Sequence, residues 1–291
     1  ARRLLRRAAS LSLFGARTKI MVHARGAFAS ALAASVLLAA VPSNAKTLLR
    51  KKEFPECVQR EAQSQHGEDL RLLVPLLCMA AEGAPATFIE MGAFTGVDLS
   101  NTVMLERCYN WSGVLIEGNP RNFRKLEKSG RTAPMIHSAV CPGEVDSTVT
   151  FAVGGGDRAG EPDLRPNSIK NRLSAADTTD KVQVPCSTLE RILVKKGQPN
   201  GVSMFFLDVE GAEAKVLQTI DLTKFAVILV EASDLKRHKD NVEPQLFAAG
   251  FHRVQKLESS SWNPVYVRKA GPMSQRCIAC ADEPECRAKY W

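Results

Sequence analysis

The sequence has almost no excess charge of either sign once its first 45 residues are set aside. Seven of the 39 lysines and arginines fall in that stretch, which contains no aspartate or glutamate, so the remainder carries 32 basic and 31 acidic side chains. Sustained binding to phosphates needs a basic surface on the folded part of a protein. The charge therefore argues against nucleic acid as a partner.

A hydrophobic run long enough to span a bilayer, about 20 residues, is also missing. The run at 27–41 has 15 small and apolar residues; it follows Met21 and Arg25 and precedes the small-x-small pattern Ser43-Asn44-Ala45. These are the three parts of a signal peptide, so we expect residues 1–45 to be a targeting leader for the secretory pathway or the exterior. Organelle import is the alternative, because arginines precede Met21, and only an uncleaved leader would contact a membrane.

The composition lacks the biases of fibrous or disordered proteins. It is 45% hydrophobic, 24% charged and only 6% aromatic. These values are typical of globular proteins and exclude a collagen-like, coiled-coil or wholly disordered chain. The roughly 246 residues after the leader suffice for one large α/β domain or two small ones.

The cysteines do not form the pattern of a zinc site. Cys277 and Cys280 make a CxxC motif followed by Cys286, but the sequence has no second CxxC and no histidine nearby. We favour a terminal disulfide staple and predict no metal site. The even count of eight cysteines suits an oxidising compartment, although the pairing cannot be read from the sequence.

Apolar segments of strand length alternate with amphipathic segments of helix length, which predicts a mostly parallel sheet covered by helices. Strands are expected at 87–92, 113–117, 135–140, 202–209 and 225–231, and helices beginning near residues 100, 120, 213 and 242. A final pair, 253–258 and 265–268, predicts a C-terminal antiparallel hairpin. We expect a linker at 46–63, the main domain at 64–270 and a cysteine-containing tail at 271–291.

The stretch 154–180 interrupts this alternation with three consecutive glycines, Pro162 and Pro166. A loop of that length is either functional or disordered, and a mobile substrate lid is the functional interpretation. The pattern Gly154-x-Gly156-x-x-Ala159 would suit an oxidoreductase if a long helix followed it. The two prolines argue against that helix.

The sharpest functional signal is a buried-strand pattern that runs directly into a glycine-containing turn at 87–96. In a parallel sheet such a turn lies at the carboxyl edge, where ligands bind. Gly92 and Gly96 lack a Cβ and would let the backbone approach a ligand closely. Phe94 and Val97 stand where a dinucleotide fingerprint needs glycine, and the lysine of a phosphate loop is absent. The turn therefore favours a nucleoside ligand without phosphates.

Acidic side chains end two further predicted strands. Glu117 is placed to accept hydrogen bonds from both ribose hydroxyls, a role that dinucleotide folds give to an acidic residue in a similar place. Asp208 and Glu210 follow an apolar strand, and their direction relative to each other stays open because Gly211 indicates a turn. Two carboxylates do not establish a magnesium site.

Four segments together resemble the FkbM-type methyltransferases. They are Ser64 to Asp69, Glu90 to Ala93, Ile116 to Pro120 and Leu207 to Glu213. The resemblance extends from about residue 64 to 268. It implies a Rossmann-like methyltransferase fold that uses S-adenosylmethionine, usually for O-methylation.

The resemblance also implies a set of site residues. The cofactor residues it implies are Glu90, Gly92, Ala93 and Gly96 at the amino-acid end, Glu117 at the ribose, Ser138 and Ala139 beside the adenine, and Asp208 at the methyl-transfer site. A hydroxyl acceptor needs a base, and the candidates are Asp208, Glu210 and His137, with His66 as a further one.

These residues predict an S-adenosylmethionine-dependent methyltransferase that acts on a hydroxylated small molecule or a glycan. The alternative is a non-catalytic binding or trafficking protein of the secretory pathway on the same fold, since a fold does not fix a function. The Ser64-Gln65 start and the segment 111–117 also resemble animal secretory-pathway proteins similar to Star.

Overall fold

The protein is described by a computed structural model over residues 54–143, 147–153, 180–196 and 201–290. The expected leader lies outside these residues. So does most of the expected loop at 154–180, together with the glycine pattern that begins at Gly154.

Strands and helices alternate along the described chain. The strands are β1 (Thr87–Met91), β2 (Ser112–Glu117), β3 (Met135–His137), β4 (Ala139–Val140), β5 (Ser147–Val153), β6 (Asp180–Ser187), β7 (Val202–Leu207), β8 (Phe225–Val230), β9 (Phe251–Arg253) and β10 (Val265–Arg268). The helices are α1 (Glu56–Glu61), α2 (Glu68–Ala81), α3 (Val103–Tyr109), α4 (Pro120–Leu126), α5 (Leu189–Lys195), α6 (Glu213–Leu217), α7 (Leu235–Asn241), α8 (Glu243–Ala248), α9 (Gln275–Ala279) and α10 (Pro284–Arg287).

Seven strands form the main sheet, in the order β3-β2-β1-β7-β8-β10-β9. All pairs from β3 to β8 are parallel, whereas β10 is antiparallel to both β8 and β9. Every residue of β1, β7 and β8 is buried, as expected for parallel strands covered on both faces. This arrangement confirms the predicted Rossmann-like α/β fold with C-terminal antiparallel strands.

Local hydrogen bonds decide where several elements begin. Helix α4 begins at Pro120, as predicted, because the Asn119 side chain accepts a hydrogen bond from the Arg121 amide. Helix α3 begins at Val103 instead of near Ser100, whose hydroxyl accepts from the Val103 amide. The strand predicted at 253–258 was placed too late in the sequence, since the observed strand β9 ends at Arg253.

The predicted strand at 135–140 is two strands in two sheets. Strand β3 joins the main sheet, and β4 pairs with β6 in a second sheet of order β4-β6-β5. Between them the Ser138 hydroxyl donates to the carbonyls of Ala139 and Pro185, at 2.7 and 3.2 Å. The chain therefore leaves the main sheet at Ser138.

The expected linker and tail are part of the folded unit over their described residues. Val58 of α1 and Cys277 of α9 are fully buried in the same hydrophobic core as the sheet. A disulfide joins Cys57 to Cys108 in α3, and another joins Cys277 to Cys78 in α2. The folded domain therefore includes the described chain from residue 54 to residue 290.

All eight cysteines are paired in disulfides. The bridges are Cys57–Cys108, Cys78–Cys277, Cys141–Cys186 and Cys280–Cys286. The disulfide interpretation is confirmed, but only the last bridge is local to the tail. Both cysteines of the CxxC motif are in disulfides, with Cys78 and Cys286, and four bridges indicate an oxidising compartment.

No helix within the described ranges has the length and apolar character needed to cross a membrane.

Candidate active site

A cavity of about 700 Å³ opens at the carboxyl ends of the parallel strands. Most of the site residues expected from the sequence line it: Glu90, Gly92, Ala93, Glu117, Ser138, Ala139, Asp208 and Glu210. Gly96 and His137 do not. The strand ends and turns form one concave site together with two segments far apart in the sequence, 65–68 and 262–263.

Glu90 points from β1 into the loop at 98–102. Its carboxylate accepts hydrogen bonds from the hydroxyls of Ser100 and Thr102, at 2.8 and 2.5 Å, and from the Asn101 amide at 2.6 Å. Burial raises the pKa of Glu90, and the Arg131 guanidinium opposes that shift. The carboxylate therefore holds this loop against the cavity.

Arg131 supports the same loop from inside the protein, where its side chain is completely buried. Its guanidinium donates to a Glu106 carboxylate oxygen at 2.9 Å, to the Gly96 carbonyl at 2.6 Å and to the Thr102 hydroxyl at 2.9 Å. No sequence motif marked this residue. Its importance depends on partners 25 to 35 positions away along the chain.

The two glycines of the turn after β1 are required by the packing of the chain itself. Gly92 has φ +86°, and a Cβ there would lie 1.8 Å from the Asp208 carbonyl oxygen. Gly96 has φ +80°, and its Cβ would lie 2.4 Å from Leu126 Cδ1. Gly92 lines the cavity, whereas Gly96 packs against α4, which corrects the expectation that Gly96 faces the ligand.

Glu117 ends β2 and reaches the turn after β1. One carboxylate oxygen accepts from the Phe94 amide at 2.8 Å and the other from the Asn119 amide at 2.7 Å. Burial raises the pKa of Glu117 to about 7, and the backbone donors hold it from rising further. The group therefore titrates near neutral pH at the wall of the cavity.

Asp208 and Glu231 lie side by side at the ends of β7 and β8. The Asp208 amide donates to the Met91 carbonyl at 3.0 Å and the Glu231 amide to the Leu207 carbonyl at 2.9 Å, so backbone pairing continues past the strands. Their carboxyl groups therefore lie close enough for each to affect the pKa of the other.

The pKa values of both carboxyl groups are raised, that of Asp208 to about 7 and that of Glu231 to about 9. Enclosure in the protein, away from bulk water, is the largest cause for both, and the negative charges of Glu210 and Glu213 raise both pKa values further. The charge of Asp208 raises the pKa of Glu231, whereas the interaction with Glu231 lowers that of Asp208. Glu231 was the last residue of a predicted strand, but only the pairing of β8 with β7 places it beside Asp208.

Glu210 and Glu213 belong to the turn that follows β7. Glu210 has φ +55° and Gly211 has φ +103°, so the chain has left the strand before Glu210. The Glu213 carboxylate accepts from the amides of Gly211 and Val209, at 2.8 and 3.3 Å. Asp208 and Glu210 therefore do not share a strand face, and Glu213 is a turn and helix-start residue.

His137 lies on the edge strand β3, outside the cavity lining. Its ring stacks on Phe123 with the centroids 4.9 Å apart, and its Nε2 lies 3.2 Å from the Gly118 carbonyl oxygen. Both contacts are structural. The structure therefore does not bring His137, a candidate base from the sequence, to the cavity.

Three buried polar atoms on cavity-lining residues have no hydrogen-bond partner among the described residues. They are Asn101 Oδ1, Asn122 Nδ2 and Glu231 Oε2. Asn122 is only 2% exposed. Because buried polar groups are almost always satisfied, we expect a bound water or a ligand to complete their hydrogen bonds.

Comparison with known proteins gives the family. A family model described as the methyltransferase FkbM domain matches residues 90–254, more than half of the chain. Among proteins with curated descriptions, none matches this sequence.

Three solved structures are similar to this chain at low identity. A precorrin-6y C5,15-methyltransferase from Geobacter metallireducens GS-15 is 13% identical, with a TM-score of 0.34 over 68% of this chain and 85% of that one. An FkbM methyltransferase from Methylobacillus flagellatus KT is 10% identical, with a TM-score of 0.37 over 72% of this chain and 56% of that one. The plantazolicin methyltransferase BamL, in complex with a triazolic desmethylPZN analog and SAH, is 10% identical, with a TM-score of 0.38 over 82% of this chain and 86% of that one.

The matched region contains the turn after β1, Glu117 and Asp208, all of which line the cavity. The chain therefore belongs to the FkbM family of S-adenosylmethionine-dependent methyltransferases.

Proposed function

We propose that this protein methylates a hydroxyl oxygen of a polyhydroxylated acceptor. The observation that carries the proposal is the placement of Asp208 and Glu231 side by side at adjacent strand ends, in the same cavity as Glu117. A carboxylate with a raised pKa is suited to accept the proton of a reacting hydroxyl near neutral pH.

The cavity residues fit S-adenosylmethionine at one end. Glu117 can accept hydrogen bonds from ribose hydroxyls, and the unpartnered amide nitrogen of Asn122 can donate to a ribose or purine acceptor. Ser138 and Ala139 also line this wall, where we place the adenine. When bound, the cofactor supplies an electrophilic methyl group on its sulfonium.

Asp208 is the proposed base. The pKa of Glu231, about 9, keeps that carboxyl protonated at neutral pH, whereas Asp208, with a pKa of about 7, is partly ionised there and is open to the cavity. It accepts the proton that the acceptor hydroxyl loses as its oxygen gains the methyl group, and it later releases that proton to solvent. Holding the acceptor oxygen in line with the methyl group is the other contribution of the cavity.

The first test is calorimetric titration with S-adenosylhomocysteine. We expect the native protein to bind and Glu117→Ala to bind between about tenfold and hundredfold more weakly, because hydrogen bonds to a charged group are lost. Glu127→Ala, which removes an exposed carboxylate at the end of α4, is the control and should bind normally. No binding by the native protein would refute the proposal, and normal binding by Glu117→Ala would refute the ribose contact.

The raised pKa of Glu117 predicts a pH dependence of cofactor binding. Ribose hydroxyls donate best to the ionised carboxylate, so affinity should rise with pH through about 7 and then level off. If only the ionised form binds, affinity at pH 8 should exceed that at pH 6 about tenfold. In Glu117→Gln this dependence should disappear; a profile with the same slope in both proteins would assign it to another group.

Catalysis is tested separately with methyl-labelled cofactor and mass analysis of the products. Transfer to a saccharide pool supports the proposal. Cofactor binding without transfer to that pool or to a pooled cell extract would instead favour the non-catalytic binding protein considered above.

A further inference from the structure

We infer that the end of the cavity opposite Glu117 is a saccharide subsite, with Trp262 as its stacking platform. The inference rests on the proposed function and deepens it, because it names the class of acceptor and the residues that hold it.

Backbone pairing fixes the order of residues across the edge of the sheet. Strand β2, which carries Glu117, pairs with β1, and the Asp208 amide donates to the Met91 carbonyl at the end of β1. Glu231 follows beyond Asp208, and the Ala232 amide donates to the Trp262 carbonyl at 2.7 Å. Four strand spacings therefore separate Glu117 from Trp262, about 19 Å. The carboxyl pair lies between them.

Two large apolar side chains are exposed at this cavity. Trp262 is 55% exposed and Leu99 is 52% exposed, and both line the cavity. Leu99 has φ +59°, a backbone conformation that is strained for leucine. Strain of this kind collects at ligand sites, because the surrounding structure must hold it in place.

A buried carboxylate joins the two segments that form this wall. Glu68, 2% exposed, accepts from the His66 amide at 2.9 Å and from the Asn263 side-chain amide. Ser64, just before this segment, forms a bridge to Leu99. The segment around His66 and the loop with Trp262 are therefore held together as one surface. Both lie outside residues 90–254, which match the family model.

The chemistry of this surface matches a sugar ring. An indole face can pack on the apolar C–H face of a pyranose, while the rim of hydroxyls needs donors and acceptors. The exposed carboxylate of Asp208 and the exposed imidazole of His66 supply them. Phosphorylated or acidic acceptors are disfavoured, since Asp208 and Glu210 face the same cavity.

The test uses the full oxidised chain saturated with S-adenosylhomocysteine. Three neutral probes are titrated by calorimetry: methyl α-D-mannopyranoside, methyl β-D-galactopyranoside and N,N′-diacetylchitobiose. We expect at least one to bind, and Trp262→Ala to weaken that binding about tenfold or more. Affinity for S-adenosylhomocysteine should stay within about twofold. Leu235→Ala, at a residue 57% exposed outside the cavity lining, is the matched control and should bind both ligands normally.

Each failure has a separate meaning. If the native protein does not bind S-adenosylhomocysteine, the proposed function fails. If it binds S-adenosylhomocysteine but none of the three sugars, the saccharide subsite is overturned and the cofactor site stands. Unchanged sugar binding in Trp262→Ala, or an equal loss of affinity for both ligands, would also overturn the assignment of Trp262.

Discussion

Replacing Arg131 with methionine is expected to lower the free energy of unfolding by about 3 to 5 kcal/mol. The substitution removes the guanidinium that pairs with Glu106 and lies 3.9 Å from Glu90, both of them buried carboxylates. Removing one partner of a buried ion pair leaves the other charge without compensation, which is far more costly than losing an exposed pair. The loop at 98–102 should loosen as well, because two of its hydroxyls lose a donor.

Arg107→Met is the matched control for that measurement. Arg107 also pairs with a glutamate, Glu61, at 2.8 Å, but its side chain is 32% exposed. Its loss should lower stability by about 1 kcal/mol or less. Urea unfolding of both oxidised variants, followed by circular dichroism, gives the comparison. If the two variants lost equal free energy of unfolding, the buried contacts of Arg131 would contribute no more to stability than a partly exposed ion pair.

Replacing Asp208 with asparagine is expected to reduce methyl transfer by about a hundredfold or more, the usual contribution of a positioned base. Asparagine keeps the size of the side chain but cannot accept the proton. Affinity for S-adenosylhomocysteine should change little, since the carboxyl pair lies beyond Glu117 in the order of strands. Label incorporation into the acceptor pool that the native protein methylates is the measurement.

Asp240→Asn serves as the control for the loss of one negative charge. Asp240 is exposed in α7 and pairs with Lys236, so its replacement should leave methyl transfer unchanged. A full loss of transfer in Glu210→Gln, with normal transfer in Asp208→Asn, would move the base to the turn after β7. A loss in neither would show that the hydroxyl needs no carboxylate base.

Several parts of the molecule could be predicted from local sequence alone. The apolar runs of β1, β7 and β8 gave strands within two residues of their observed bounds. Glu117 and Asp208 could be identified because each is an acidic residue at the end of a buried strand, and the carboxyl edge of a parallel sheet is where chains turn and ligands bind. These signals need only neighbours in the chain.

Other parts depended on which segments the fold brings together. Asp208 and Glu231 lie side by side only because β7 pairs with β8. The surface at Trp262 forms because the adjacent residue, Asn263, donates a hydrogen bond to Glu68, which lies 195 residues earlier in the chain. The same holds for Arg131 and for the Cys78–Cys277 disulfide, which spans 199 residues.

The sequence by itself determined the central strands β1, β7 and β8, the glycine turn and the acidic strand ends, because each follows from hydrophobic pattern, backbone conformation or burial among neighbouring residues. The tertiary structure decided the adjacent carboxyl groups of Asp208 and Glu231, the burial of Arg131 and the cavity wall at Trp262, because charge interactions and packing act through space between segments distant in the chain.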